Sequence, residues 1–321
     1  MAGTLIVSLD FELFWGMLDV CSLEDYQENV LGGRKAIPMM LDLFQKYGIH
    51  ATWATVGFLF AENYEELKTY FPEHHPSYAD EKLDPYGWFA SIGEDENTAP
   101  CFYGASLIRE IALTPGQEIG SHTFCHYYCR EQGQTPEQFA EDMASAKKIA
   151  ADHGYELKSV ILPRNQCEPA YTAVMRDLGF TAYRDEENDW IHEKIKFRPL
   201  LRILRLADVY LPLTGQGGYV PKNENGIWNL TGSRMLKPIF PALHFLEGMK
   251  LRRVKKQMLH AAKHGLTFHL WWHPHNAGRN TEEYLNQLED ILRYYDELRE
   301  TYGMQSLNMA EAAQANAEGT K

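Results

Sequence analysis

Short apolar or β-branched runs alternate along this chain with stretches whose apolar residues recur at helical spacing. The first predicted strand covers 5–10, Leu-Ile-Val-Ser-Leu-Asp. Ala36, Ile37, Met40, Leu41 and Phe44 then mark a helix that Gly48 stops. A strand over 50–56 and a helix over 58–69 follow. A short helix over 105–113 and the turn Pro115-Gly116 lead into a third strand over 118–122. The helix over 136–153 has Pro136 in its first turn, where a missing N–H costs nothing. Next come a strand over 159–163, a helix over 170–178 closed by Gly179, and a strand over 181–184. The last part predicts a helix over 241–264 stopped by Gly265, a strand over 267–273, an acidic amphipathic helix over 282–301 and a final strand over 305–309.

Two stretches break the alternation: about 70–102, with Pro72, Pro76, Pro85 and Pro100, and 186–232, with Gly215, Gly217 and Gly218. Both read as irregular insertions over a site, since long loops in compact folds are usually functional. No internal repeat is present. Strands separated by helices imply an α/β class with a parallel sheet or barrel, in a single domain over 1–321.

Composition narrows the picture. The chain has 321 residues, 45% hydrophobic and 23% charged, enough for a sizeable core. A net charge of -13 argues against binding nucleic acid through its phosphates, and against docking on an acidic membrane. No run approaches the ~18 apolar residues of a membrane span. The start of the chain, Met-Ala-Gly-Thr followed directly by the first strand, shows no secretory signal. Five scattered cysteines, Cys21, Cys101, Cys125, Cys129 and Cys167, then fit reduced thiols in a cytoplasmic protein. Cys125 and Cys129 read as buried bystanders.

Candidate chemistry gathers at the predicted C-terminal ends of the strands, the edge where parallel α/β folds build their sites. Asp10 and Glu12 stand at the first, His122 at the third, Arg164 at the fourth and His273 at the sixth. His122 and His126 are four residues apart, so a helical turn would put both imidazoles on one cation. Asp10 and Glu12 leave one face of their strand with Phe11 opposite. One carboxylate can complete the metal site while the other serves as general base toward water, which a zinc-like ion acidifies to a pKa of about 7. Arg164 could clamp the base by a bidentate hydrogen bond. Alternation puts His269, Trp271 and His273 on one strand face, with Leu270 and Trp272 on the other. His273 suits a general acid, Trp271 a wall for a small acyl group, and His269 a satisfied core histidine. Asn165 and Trp271 are the candidate substrate contacts.

In this order the pieces resemble the polysaccharide deacetylase superfamily, the NodB-homology fold of carbohydrate esterase family 4, from Ser8 to about Ala312. The family's His-Ser/Thr-x-x-His motif is met by His122-Thr123-Phe124-Cys125-His126, its arginine motif by Arg164 and its late histidine by His273. The resemblance implies a distorted seven-stranded (β/α) barrel, a divalent metal, usually zinc, and removal of acetyl groups from N- or O-acetylated sugars. One motif departs from the family. Two adjacent aspartates, first base and then ligand, are replaced by Asp10-Phe11-Glu12, a version similar to peptidoglycan-deacetylase-like and allantoinase-like members. The family's order of roles makes Asp10 the base and Glu12 the ligand with His122 and His126; the reverse assignment is open. The alternatives are a cyclic amidase or other non-sugar C–N hydrolase of this fold, and a non-catalytic carbohydrate-binding relative.

Overall fold

The computed structural model describes residues 2–185, 190–195 and 197–319. Its strands are β1 (Thr4–Phe11), β2 (Ala51–Thr55), β3 (Gln117–Ser121), β4 (Ser159–Ile161), β5 (Ala182–Arg184), β6 (Lys222–Glu224), β7 (Ile227–Asn229), β8 (Arg234–Met235), β9 (Thr267–Trp272) and β10 (Gln305–Leu307). They form one sheet in the order β6-β7-β5-β4-β3-β2-β1-β9-β8, with β10 added beside the start of β1. Every ladder is parallel except the β6–β7 hairpin. Leu5, Ile6, Val7, Leu9 and Phe11 of β1 are all fully buried, as a central parallel strand covered on both faces requires.

The sheet is strongly curled. β5 and β1 are four ladder steps apart, about 19 Å if flat at the usual strand spacing. Yet Arg184 of β5 donates to Ser8 and Asp10 of β1 at 2.9 and 2.8 Å. Its guanidinium also lies 4.1 Å from the ring centre of Trp271 on β9. The chain after β7 reaches β9 as well, where Ser233 N donates to His269 O at 2.9 Å. These contacts bring distant members of the α/β sheet together, in keeping with the distorted barrel expected, and ten hydrogen-bonded strands fall among the described residues.

The first long helix, Leu23–Tyr47, starts well before the residues that predicted it. Ser22 caps it by accepting from Asp25 N, and Gly32, Gly33 and Pro38 lie inside it. Gly33 answers to packing: a Cβ there would sit 2.8 Å from His275 Cα, so glycine lets the helix approach the turn after β9. The helix expected over 58–69 is divided into a 3-10 turn Gly57–Phe60, one helical turn Tyr64–Leu67 and a second 3-10 turn Lys68–Tyr70. The stretch 71–102 is irregular as expected, with short 3-10 turns at Glu81–Leu83 and Tyr86–Ala90.

The reading of 186–232 as loops is corrected. Helices Trp190–Lys194 and Arg198–Tyr210 and the β6–β7 hairpin fall there, while 186–189 and 196 lie outside the described residues. Leu200, Leu201, Leu204 and Ala207 carry helical spacing, but the flanking glycines masked it. The helix Pro136–Asp152 has a full capping box from Thr135 and Gln138. No described helix is long and apolar enough to cross a membrane.

Candidate functional site

The ends of several strands deliver side chains to the C-terminal mouth of the sheet. Asp10 and Glu12 leave β1 on the same side and are 4% and 3% exposed, while Phe11 points away into the core against Trp53. β3 ends one residue before His122. The loop from 122 to 126 is not helical: Thr123 and His126 adopt left-handed φ values of 65° and 62°. The two imidazoles converge, ring centres 5.1 Å apart, because the loop folds back on itself and not because they share a helix face. Asp142, buried on the helix Pro136–Asp152, fixes that loop by accepting from Phe124 N at 2.7 Å and Cys125 N at 3.1 Å. Thr123 Oγ1 accepts from Tyr127 N at 2.7 Å.

The donor atoms suit a cation. His122 Nδ1 meets the Ile161 carbonyl at 2.8 Å, so it carries the proton and leaves Nε2 a bare lone pair. That Nε2 and His126 Nε2 lie 3.2 and 3.1 Å from the same Glu12 Oε2. The His122 lone pair and the His126 ring nitrogen converge on one carboxylate oxygen, and Glu12, His122 and His126 each place a ligand atom within 4.8 Å of the others, an arrangement that can hold a cation. Two nitrogens and one oxygen form a donor set that zinc-like ions accept. Cys125 and Cys129 are free, buried and outside this cluster.

Asp10 is held differently. Arg184 Nη1 and Nη2 donate to Oδ1 and Oδ2, both at 2.8 Å, a bidentate pair almost wholly out of solvent. Burial alone would raise the Asp10 pKa, but Arg184, His273 and His122 bring it below the usual carboxylate value. Burial likewise works against the Glu12 anion, and His273, His122 and His126 hold its pKa well below the usual. Both acids are anionic at neutral pH.

The clamp expected of Arg164 is therefore made by Arg184. Arg164 sits at φ 56° in the turn after Pro163, which swings its side chain outward to Asp19 and Glu131 and over the Tyr128 ring at 4.2 Å. It lines the rim of the cavity without touching Asp10. Asn165 spends its side-chain carbonyl on Arg184, accepting from Nε at 3.0 Å. Ser8 accepts from Arg184 and is 2.7 Å from His269 Nε2, whose ring is anchored through Nδ1 to Leu230 O at 2.9 Å. Burial pushes the His269 pKa down to about 3, so the ring is the neutral core histidine expected. Arg184 was visible by the same rule that found the others, a charged residue closing an apolar strand, but Arg164 had taken the role.

His273 directs Nε2 at the two acids, 3.6 Å from Asp10 Oδ2 and 3.7 Å from Glu12 Oε1. It stacks on His275 at 5.0 Å, and burial lowers the His275 pKa to about 4. Trp271 lines the cavity as expected while its ring supports Arg184. A cavity of about 640 Å³ opens above these groups, rimmed by Met17, Tyr26, Lys237, Pro238 and Phe240.

Residues 25–183 match the polysaccharide deacetylase family, a span that contains both His122 and His126. Over that span, just under half of its length, the chain is similar to the polysaccharide deacetylases. The match leaves Asp10, Glu12, Arg184 and His273 outside, so their placement rests on geometry. No curated protein matches the chain in sequence. Among solved structures, a Mycobacterium smegmatis protein assigned to the polysaccharide deacetylases aligns at 12% identity and TM-score 0.63, over 100% of this chain and 92% of its own. A Pseudomonas aeruginosa protein assigned likewise gives 11% and 0.58, over 97% and 89%. PuuE allantoinase gives 12% and 0.57, over 97% and 88%. At such identities these likenesses show a shared fold.

Proposed function

We propose that this protein is a divalent-metal-dependent hydrolase of the polysaccharide deacetylase kind that removes an acetyl group from an N- or O-acetylated sugar. The observation that carries the reading is the pairing, in one buried mouth, of a Glu12–His122–His126 donor set with a separately clamped anion, Asp10. Glu12, His122 and His126 would hold the ion, most simply zinc. When bound, such an ion supplies Lewis acidity, making water acidic near neutral pH and polarising an acyl oxygen.

The chain's own residues supply the rest. Asp10 takes a proton from the attacking water at Oδ2, the oxygen facing His273. Arg184 keeps that carboxylate anionic and fixed in orientation, and Asn165 and Ser8 fix Arg184 in turn. His273 Nε2 delivers a proton to the departing amine or alkoxide. Trp271 walls the acyl group and Arg164 lies at the rim, where a sugar hydroxyl can reach it. The division of labour favoured by these contacts is Asp10 as base and Glu12 as ligand, because Glu12 alone meets both histidines while Asp10 is occupied by Arg184.

The test combines zinc titration calorimetry with acetate release from a panel of N- and O-acetylated sugars, before and after chelation and reloading. Zinc should bind the wild type and bind His122→Ala at least about tenfold more weakly, as losing one ligand implies. Acetate release should vanish with chelator and return with metal. A wild-type protein that binds no divalent metal under any loading would sink the reading; ammonia or ureide release from cyclic amides, without acetate release, would move it to the amidases.

A further inference from the structure

The helix Arg198–Tyr210 leaves an apolar face uncovered. Leu200, Ile203 and Leu206, three residues apart in succession, stay 42%, 63% and 42% exposed, and Phe197 at the N-cap is 67% exposed. Arg202 and Arg205 are exposed on the adjoining arc of the same helix. The helix is nevertheless held in place. Asp208, near its end, pairs with Arg234 at 2.8 Å and Arg253 at 2.7 Å and accepts from Thr214 N at 2.7 Å. One end is thus pinned by buried ion pairs while the first turns present an apolar stripe flanked by arginines.

Charge says what covers that stripe. Residues 194–207 contain Lys194, Lys196, Arg198, Arg202 and Arg205 and no acid. Across 190–280 there are fifteen Lys and Arg against four Asp and Glu, in a chain whose net charge is -13; Arg234, Lys250 and Arg253 are buried against Asp208 and Glu247, and the remaining cations still outnumber the remaining acids. The average that argues against an acidic surface conceals a basic third of the molecule. This region is also continuous with the mouth of the barrel. Phe240 rims the cavity, Phe245 and Met249 follow it at 79% and 36% exposure, and Arg253 on the same helix pins Asp208.

We propose that this face docks on an anionic lipid bilayer. Leu200, Ile203 and Leu206 enter the boundary between headgroups and acyl chains, and Arg202 and Arg205 meet the lipid phosphates. A second copy of the chain fits less well, because a two-fold interface would set this cationic face against itself. Docking does not depend on the hydrolytic reading above. It would bring the cavity mouth close to sugars carried at a membrane surface.

Flotation of the full chain with phosphatidylcholine vesicles, with and without phosphatidylglycerol, tests the proposal. Binding is expected only with phosphatidylglycerol and should weaken as salt rises. The double variant Arg202→Glu/Arg205→Glu and the single variant Ile203→Asp should each reduce it more than about tenfold. The double variant changes exposed positions only and so decides the matter even if Ile203→Asp unfolds, which circular dichroism reports. Zinc binding by the double variant should stay at the wild-type level, separating loss of docking from loss of the site. Absence of binding to anionic vesicles, equal binding to neutral ones, or binding indifferent to the arginines overturns the proposal. So does a dimer in sedimentation equilibrium that Ile203→Asp splits, which would assign the face to a second copy.

Discussion

Two cavities lie at opposite ends of the same strands, and the less voluminous one is lined by the proposed site. The cavity at the C-terminal mouth measures about 640 Å³. The other, about 850 Å³, opens beside the starts of β3 and β5 and is lined by Gln117, Glu118, Lys158, Thr181 and Glu311. Each contains desolvated carboxyl groups, yet their pKa values move in opposite directions. Burial raises the pKa of Glu118, whose Oε2 accepts from Thr52 Oγ1 at 2.6 Å and Ala310 N at 3.1 Å, neutral donors that do not reverse the shift. The same burial acts on Asp10 and Glu12, but a guanidinium and three imidazoles outweigh it. Volume does not mark the site; buried anions answered by cations do.

The sharpest way to break this contrast is to remove the charge at the mouth. Asp10→Asn keeps the shape and loses the base, so kcat for acetate release should fall about 10²–10⁴-fold with KM little changed. A smaller fall would mean that Asp10 is not the base. Next comes the clamp. Arg184→Met leaves Asp10 buried and unpaired, which should cost about 3–5 kcal/mol in urea unfolding. Arg164→Met, on a partly exposed arginine, should cost no more than about 1 kcal/mol. Equal losses from the two would erase the distinction between them. Below that lies the loop that brings the histidines together. Asp142→Asn retains one acceptor oxygen for two backbone N–H groups and should destabilise by about 1–3 kcal/mol, with weaker zinc binding alongside. Unchanged zinc affinity would make Asp142 a fold residue only.

What could be read from the sequence divides along the same physical lines. Periodicity and strand-end position located β1, β3, β4 and β9 and the acids and histidines they carry, because in a parallel fold backbone direction alone sends those ends to one mouth. Contacts that depend on curvature were not legible. Nothing local says that β5 bends round to β1, so the choice between Arg164 and Arg184 turned on a closure no window of sequence contains. The His122–His126 approach was anticipated for a helical reason, whereas two left-handed residues achieve it; φ values at Thr123 and His126 are set by Asp142 and by packing on Gly57 and Phe58, all distant in sequence. The helix Arg198–Tyr210 was missed because turn residues flanking it outweighed its own periodicity.

The smallest predicted effect belongs to the other cavity, and its sign is the informative part. An acid whose folded pKa is raised binds protons more readily folded than unfolded. Its protonated form therefore favours folding, and that contribution is lost as pH climbs through the folded pKa. At neutral pH the unfolded chain gains more from ionising this carboxyl than the native state does, so Glu118 costs the native state stability. Glu118→Gln removes the titration while keeping an oxygen to accept from Thr52 and Ala310. The variant should be more stable than wild type at pH 7, because the neutral amide does not carry the cost of ionising in this buried place. The advantage should shrink as pH falls toward the ordinary glutamate value and be gone below it. Acetate release should be unchanged, because Glu118 lies at the end of the strands remote from Asp10. If Glu118→Gln were instead destabilising at pH 7 and neutral in acid, the Glu118 carboxylate would be a stabilised anion like Asp10, and the contrast between the two ends of the sheet would fail.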